Sequence, residues 1–376
     1  MNRHNEKSAF TGTAAPGLSS YDDSSTESLD KDLAATIVPD HAQEVDTLEE
    51  WRVLHKIDLY LIPWMWLGYG FVYYDKAILG SAVLFGMTKD LSLSVVDTST
   101  HPPVTVTTRL SWATSIFYFG MLAGLYPMTF ILQRFQIGRV LGTLVILWGV
   151  IAMLTAAVTS WRGLFAQRFF LGFVESVIPT AFMCIVSSYY TQQEQALRQS
   201  WWFSSTGGWT IIGGALNYGF AQITGGSLAR WQYIYLLAGS LTILFGLLCF
   251  AVPNSAVSAW FLSAEDRIVA VERLRKGQTG VRCQKLKGYQ IREAALDIKI
   301  WLVAFMMAGA YTVNGALWLG LIICYCIVIV LAVVLYVVLR AENKRRESLR
   351  LDEEGRDRLA FQDLTDKENP YFRYVL

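Results

Sequence analysis

The sequence has little charge for its length. Charged residues make up 17% of the 376 residues and hydrophobic residues make up 53%, whereas about a quarter of the residues in soluble domains are charged. The 32 basic and 31 acidic residues give a formal net charge of +1, so no excess of positive charge favours binding to nucleic acid. The composition excludes a disordered chain and a coiled coil, and it indicates a membrane protein.

Cysteines are also few, and their spacing is not that of a paired framework. Four of the five cysteines stand in apolar runs, one stands in a basic loop, and no CxxC pair occurs. This pattern disfavours a disulfide framework and a zinc site. The sequence shows no metal-ligand cluster, no phosphate-binding glycine loop and no nucleophile constellation. We therefore expect no metal, no cofactor and no enzymatic activity.

The first fifty residues differ in character from the rest. They are rich in Ser, Thr and Asp, and they lack a basic start followed by an apolar core. No cleavable signal peptide is therefore expected, and the composition predicts a disordered cytosolic tail.

Long apolar runs dominate the remaining sequence. A helix that crosses a membrane needs about 20 mostly apolar residues. Six apolar runs lie before residue 253, and a seventh extends from Ile300 to Leu339. As a single helix the seventh run would reach about 60 Å, so it must hold two spans or a broken one. The runs predict an all-α, polytopic membrane protein with the lipid bilayer as its surroundings. The six earlier runs lie at about 57–85, 110–132, 138–159, 163–190, 199–224 and 230–252.

The charges between the spans predict how the chain lies in the membrane. Nine Lys and Arg residues stand in the loop at 253–299, and further basic residues follow Leu339. The positive-inside rule then places both ends in the cytosol, which requires an even number of spans, and we count eight. Residues 265–276 are expected to form an amphipathic helix on the membrane surface. The predicted regions are a tail at 1–50, a six-helix half at 51–252, a cytosolic loop at 253–299, two fused spans at 300–339 and a cytosolic tail at 340–376.

Two polar clusters interrupt the apolar spans. Asp75 and Lys76 follow Tyr73 in the first span, and Arg168 and Glu175 lie in the fourth. A spacing of seven residues puts Arg168 and Glu175 on one helix face, about 10 Å apart along the axis. Estimated depths make a pair between Asp75 and Arg168 sterically feasible, with Glu175 nearer the middle of the membrane.

These charges allow two interpretations, because ionisable groups within a membrane are costly and usually functional. One is a static salt bridge between helices. The other is an anion site with a carboxylate that takes up protons. Asn217 in the fifth span could equally bind a solute or a neighbouring helix, and the glycines around it indicate close helix packing.

Seven stretches of the sequence together resemble the major facilitator superfamily. Within it they are most similar to the anion:cation symporter group, in particular to fungal allantoate permease-like transporters. In one of them, Arg134, Gly138 and Arg139 match the gating motif Gly-x-x-x-Asp-Arg-x-Gly-Arg, and Gln133 stands at its acidic position. The stretches are residues 55–58, 75–76, 131–139, 168–175, 270–280, 342–346 and 363–374.

The resemblance implies proton-coupled uptake of a small organic anion or a related nutrient. Asp75 and Glu175 would then be the proton-coupling carboxylates, while Lys76 and Arg168 would hold the anion. Tyr73 and Asn217 complete the expected substrate site. We further expect an integral protein of the plasma membrane with both termini in the cytosol, whose partners are the anion and the proton, with no nucleic acid.

The chain departs from the family pattern in its second half. Family members have two six-helix halves with the site between them. Here the sequence of the seventh span breaks off near 314–317, and from Trp318 it resembles the last span, so four spans are expected to be missing. Three alternatives follow: a working symporter that gains the absent helices by homo- or hetero-oligomerisation, a non-transporting protein that associates with a full-length relative, or a non-functional product of splicing or gene prediction.

Overall fold

The computed structural model describes residues 46–97, 104–223, 225–276, 288–312, 318–349 and 364–375. Most of the expected N-terminal tail, the centre of the 253–299 loop and the expected junction at 314–317 lie outside these ranges. The described residues are mainly helical, which confirms the all-α class. A short antiparallel ribbon joins strand β1, Val95–Asp97, to strand β2, Val104–Val106.

The first helix, α1, runs from Thr47 to Ala82 and therefore begins ten residues before the apolar run at Ile57. Asp46 caps it, because its carboxylate accepts a hydrogen bond from the backbone N–H of Leu48. A π-helical segment, Val83–Met87, and a single turn, Thr88–Asp90, continue it. Every fourth residue from position 53 to 65 is fully buried, as expected of a helix that packs one stripe inward; these residues are Val53, Ile57, Leu61 and Met65.

Two expected spans are each divided into two helices. The fourth span is broken at Ser176, because Pro179 has no N–H to donate to the carbonyl of Glu175 one turn earlier. The fifth span is broken at Ser204, whose hydroxyl donates to the carbonyl of Trp201 at 2.6 Å. The helices that follow α1 are α2 (Thr108–Arg134), α3 (Ile137–Leu154), α4 (Trp161–Glu175), α5 (Val177–Tyr189), α6 (Gln192–Phe203), α7 (Ser205–Ala221) and α8 (Arg230–Cys249).

Five segments of the described chain are long and apolar enough to cross a membrane, and a shorter apolar helix lies at Ile298–Met307. α1 is longer than all of them, and it carries the charges of the first polar cluster. The number of eight spans therefore stays a prediction. The five segments are Thr108–Arg134, Ile137–Ala157, Trp161–Tyr189, Arg230–Cys249 and Cys326–Glu347.

The bundle is built from helix pairs that are not consecutive in sequence. α2 packs on α4, α3 on α8, and α1 on α7. The α2–α4 contact brings backbone against backbone: a Cβ at Gly120 would lie 2.1 Å from the carbonyl oxygen of Phe169, and one at Gly172 would lie 2.1 Å from that of Phe117. Only glycine allows this approach from both sides.

Ion pairs tie the helices together at the end of the bundle where α1 begins, which we name the base. Lys56 Nζ lies 2.6 Å from Asp266 Oδ2, and Arg198 Nη2 lies 3.0 Å from Asp58 Oδ2. Asp266 belongs to α9, Ala264–Lys276, the helix expected at 265–276. Its apolar residues, such as Val271, are buried, and α9 contacts α1, so this helix packs on the protein.

The remaining helices are α10 (Gly288–Ala295), α11 (Ile298–Thr312) and α12 (Trp318–Glu347). α11 and α12 pack on each other. α12 continues past the apolar run that ends at Leu339 and includes the first charged residues of the expected tail. Residues 364–375 lie across the charged ends of α11 and α12.

Candidate functional site

Four charged side chains lie close together inside the bundle, on α1 and α4. Asp75 and Arg168 are each 3% exposed and Glu175 is completely buried, while the side chain of Lys76 is 30% exposed. Two positive and two negative charges therefore share a region with little access to water. Such a group is stable only if its members interact with one another or with a ligand.

Lys76 and Glu175 form the ion pair of this cluster. Nζ of Lys76 lies 3.0 Å from Oε1 of Glu175 and 5.7 Å from the centre of the Phe117 ring. The pair joins α1 to α4. It forms because consecutive residues of a helix diverge by about 100°, so Lys76 points to α4 while Asp75 points elsewhere.

Arg168 binds a residue that the sequence did not indicate. Its Nη2 donates a hydrogen bond to the hydroxyl of Tyr235 on α8, at 2.6 Å. The contact between Asp75 and Arg168 that the estimated depths made feasible does not form: no ion pair joins these two described residues, because the guanidinium is turned to α8. Arg168 still acts on Asp75 through its charge, as Lys76 does.

The carboxylate of Asp75 is the acidic member of the cluster that has no ion-pair partner among the described residues. Both of its oxygens are buried, and neither has a hydrogen-bond partner among the described residues. A buried carboxylate without hydrogen bonds is costly when ionised. It is therefore a group that can take up a proton or accept a hydrogen bond from a ligand.

Asn217 connects α7 to α1. The hydroxyl of Tyr74 donates to its Oδ1 at 3.1 Å, and its Nδ2 donates to Oγ of Ser81 at 2.7 Å. Of the two interpretations given above, the structure thus shows the contact between helices, and the contact with a solute stays a prediction. Tyr73 is 37% exposed, whereas its neighbour Tyr74 is buried.

The residues of the gating motif lie at the base. Gly138 stands against the end of α8, where a Cβ would lie 2.3 Å from the carbonyl oxygen of Val252. The side chains of Arg134 and Arg139 are exposed, and within the described ranges neither forms an ion pair. Their gating role stays a prediction.

Sequence reasoning missed Tyr74, Ser81 and Tyr235. The chain has 18 tyrosines, so a tyrosine in an apolar run, even one next to Asp75, gives no signal of a buried hydrogen bond. Within the ranges that the structure describes, no group of three or more His, Cys, Asp or Glu side chains is placed to hold a metal ion.

Comparison with known proteins identifies the family of the chain. The model of the Major Facilitator Superfamily matches residues 65–346. The allantoate permease of Saccharomyces cerevisiae is 32% identical over 77% of this chain and 52% of its own length. The thiamine pathway transporter THI73 of the same yeast is 30% identical over 71% and 49%, and the uncharacterized transporter C460.05 of Schizosaccharomyces pombe is 32% identical over 73% and 49%.

A solved structure also overlaps partly with the chain. A bacterial homologue of the human lysosomal transporter Spinster, in an inward-facing and unoccupied conformation, gives a TM-score of 0.43 at 12% identity, over 84% of this chain and 78% of that one.

The chain spans about half the length of the curated relatives that it matches. Those relatives are membrane transporters rather than enzymes, and they fit the anion:cation symporter group. On the match to most of its length, this chain is an integral membrane protein that belongs to the major facilitator superfamily.

Proposed function

We propose that the chain serves in proton-coupled uptake of a small organic anion. The observation that supports this most directly is the buried pair of Lys76 and Glu175 beside the unpartnered carboxylate of Asp75. A static structural pair would need only one charge of each sign. Here a second carboxylate lies in the same region with no hydrogen bond of its own.

The charges of the cluster suggest how a proton and an anion would be coupled. With all four groups ionised, the two cations balance the two carboxylates. One added proton leaves a net charge of +1 in a buried region, and one monoanion restores neutrality. Because net charge is costly there, binding of each would favour binding of the other.

Protonation of Glu175 would also free the ammonium of Lys76. The neutral carboxyl group holds Lys76 less strongly, so Lys76 could donate to a carboxylate of the solute. Arg168 would stay oriented by Tyr235, and Asp75, as the other carboxylate of the cluster, would share the one exchangeable proton with Glu175. In this scheme Lys76 binds either Glu175 or the anion.

Uptake into proteoliposomes would test the proposal, with radiolabelled allantoate as the probe because a relative is named for that solute. A proton gradient with the acidic side outside should drive accumulation of allantoate by the natural chain. Glu175→Gln should abolish this accumulation but retain the exchange of labelled for unlabelled allantoate. Accumulation that persists in Glu175→Gln would show that the pair is a static salt bridge.

A second copy of the chain is the partner that would best complete the site. Lys76 and Tyr73 reach the surface of the bundle, where a lipid tail cannot solvate an ammonium group. The two halves of major facilitators are related by an axis along the membrane normal. Two copies of the chain that are inserted in the same orientation can be related by such an axis. The surfaces that carry Lys76 and Tyr73 then face each other.

Co-purification of two differently tagged copies would test the assembly. Recovery of a mixed dimer with uptake supports the symporter, whereas capture of a full-length relative without uptake supports the alternative of a non-transporting partner protein. Rapid loss of the chain from cells would instead indicate a non-functional product.

The location of the protein follows from the same scheme. A role in nutrient uptake would require the plasma membrane, and the basic loop at 253–299 favours a cytosolic location for both termini. Tags at the two ends should be stained by antibody only after the cells are permeabilised. Staining of either tag in intact cells would reject this orientation.

A further inference from the structure

The last described segment of the chain binds to the ends of two helices. Asn343, on α12, bonds to both backbone polar groups of Tyr374: its Nδ2 donates to the carbonyl oxygen at 2.8 Å, and its Oδ1 accepts from the N–H at 2.9 Å. One turn along α12, Nη1 of Arg346 donates to the carbonyl oxygens of Asn369 at 3.2 Å and Phe372 at 3.0 Å. α12 thus binds the main chain of this segment at three residues.

The same segment also binds α11. Nζ of Lys299, in the first turn of α11, donates to Oδ2 of Asp366 at 2.9 Å, and the hydroxyl of Tyr374 donates to the same carboxylate. The Lys299 ammonium lies 4.2 Å from the centre of the Tyr374 ring. Nζ of Lys367 pairs with Oδ2 of Asp297, just before α11, at 3.2 Å.

Tyr374 therefore contacts both helices at once. Its backbone binds Asn343 of α12, its ring also lies 5.2 Å from the guanidinium of Arg346, and its hydroxyl and ring face Lys299 of α11. Of the two neighbouring arginines, Arg346 is buried in this contact and Arg345 is not: the side chain of Arg346 is 5% exposed, whereas that of Arg345 is 79% exposed.

Residues of the two helices line a cavity next to this contact. This cavity of about 430 Å³ lies between them, with Ile300 and Val303 of α11 facing Leu335 and Leu339 of α12 and with Asp366 and Tyr374 at its charged end. Apolar contact between α11 and α12 is thus incomplete at the level where residues 364–375 bind. The polar contacts of that segment close the pair there.

We propose that residues 364–375 form a C-terminal clasp, an intrachain peptide ligand that holds the ends of α11 and α12 together. The occupant of the site is the chain's own segment, recognised through its backbone by Asn343 and Arg346 and through Tyr374 and Asp366 by Lys299. The inference is independent of the transported solute and of the proton coupling. It assigns to this part of the chain a role in fixing a pair of membrane helices.

Limited proteolysis of the full chain in nanodiscs, where both membrane faces are accessible, tests the clasp. Trypsin can cut after Lys367 and Arg373 within it, and mass spectrometry follows the two cleavage rates. Asn343→Leu removes both hydrogen bonds to Tyr374 and should raise these rates about tenfold or more, since a site opens to protease in proportion to the population of its released form. The control, Arg345→Ala, changes an exposed arginine two positions away and should leave both rates within about twofold of the natural chain.

A cross-link reports on the helices themselves. With the five natural cysteines replaced by serine, Val303→Cys and Leu335→Cys face the same cavity, and a short bis-maleimide should join them in the natural background. Adding Asn343→Leu should lower the yield at least threefold. Tyr374→Phe, which changes only a hydroxyl in the segment and lies outside the bundle of α1–α8, should raise proteolysis by a smaller factor. Unchanged cleavage and unchanged cross-linking in both variants would overturn the clasp.

Discussion

The ammonium of Lys76 and the carboxylate of Glu175 join α1 to α4 inside the bundle, with Nζ 3.0 Å from Oε1. Each is the ion-pair partner of the other among the described residues. Removing one charge strands its partner in a region that water reaches poorly, which is far more costly than removing both.

A double-mutant cycle on this pair should therefore be strongly non-additive. Lys76→Met leaves Glu175 buried without its cation and should lower the free energy of unfolding by about 3–5 kcal/mol. Lys76→Met combined with Glu175→Gln should recover most of that loss. Thermal unfolding of the purified variants in one detergent measures the three changes, and additive effects would show that the two groups do not interact.

Tyr235 is expected to act through Arg168. Tyr235→Phe deletes the hydroxyl that accepts the hydrogen bond from Nη2, which costs about 1.5–3 kcal/mol for a bond to a charged group. If the guanidinium holds the anion, the half-saturating concentration for uptake should rise at least tenfold while the protein stays folded. Tyr218→Phe is the matched control, because Tyr218 is largely exposed. Equal effects of the two substitutions on the half-saturating concentration would show that Tyr235 does not act on anion binding through Arg168.

Gly120 should not tolerate a side chain. A Cβ there would lie 2.1 Å from the carbonyl oxygen of Phe169, so Gly120→Ala must push α4 away from α2. The neighbouring helices lose contact, and we expect a clearly lower unfolding temperature and a lower yield of folded protein. Gly214→Ala is the control, since no atom lies within 4 Å of a Cβ at that position. A similar loss in both variants would contradict the packing argument, because alanine favours a helix more than glycine does and a Cβ at Gly214 meets open space.

The base should lose stability in acid through Asp266. Burial works to raise the pKa of this carboxyl group, but hydrogen bonds from Lys56 and Ser263 outweigh it, and the pKa is lowered from its ordinary value. A lowered pKa in the folded state means that the group stabilises the protein above its ordinary pKa of about 4, and that this contribution is lost as the pH falls through the lowered value.

Asp266→Asn tests this assignment. The difference in unfolding temperature between the natural chain and Asp266→Asn should be constant from about pH 7 to pH 5 and should shrink below about pH 4. Glu265→Gln, on the same turn, is the control. A difference that keeps its full size at low pH would exclude Asp266 as the titrating group.

The sequence predicted the class of fold because long apolar runs admit few alternatives in a membrane. It also located Asp75, Lys76, Arg168 and Glu175, since charges in such runs are rare. It could not predict which of them pair. Estimated depth favoured Asp75 with Arg168, but the choice depends on side-chain direction and on Tyr235 of α8, a residue with no distinguishing feature in the sequence.

The broken helices show the same limit. The length of the apolar run predicted one span for 163–190. The break at Ser176 follows from Pro179, a local feature that a count of apolar residues does not register. The clasp was missed for a different reason. Its contacts join Lys299, Asn343 and Tyr374, which are far apart in sequence, and only the folded chain brings them together.

The pairing of non-consecutive helices sets the order in which the protein can assemble during its synthesis. α2 packs on α4, α1 on α7, and α3 on α8. The early helices can therefore form all three pairs only after the ribosome has completed α8. None of these three pairs uses a residue beyond Cys249. The three pairs that enclose Lys76 and Glu175 can therefore form while α11 is still untranslated.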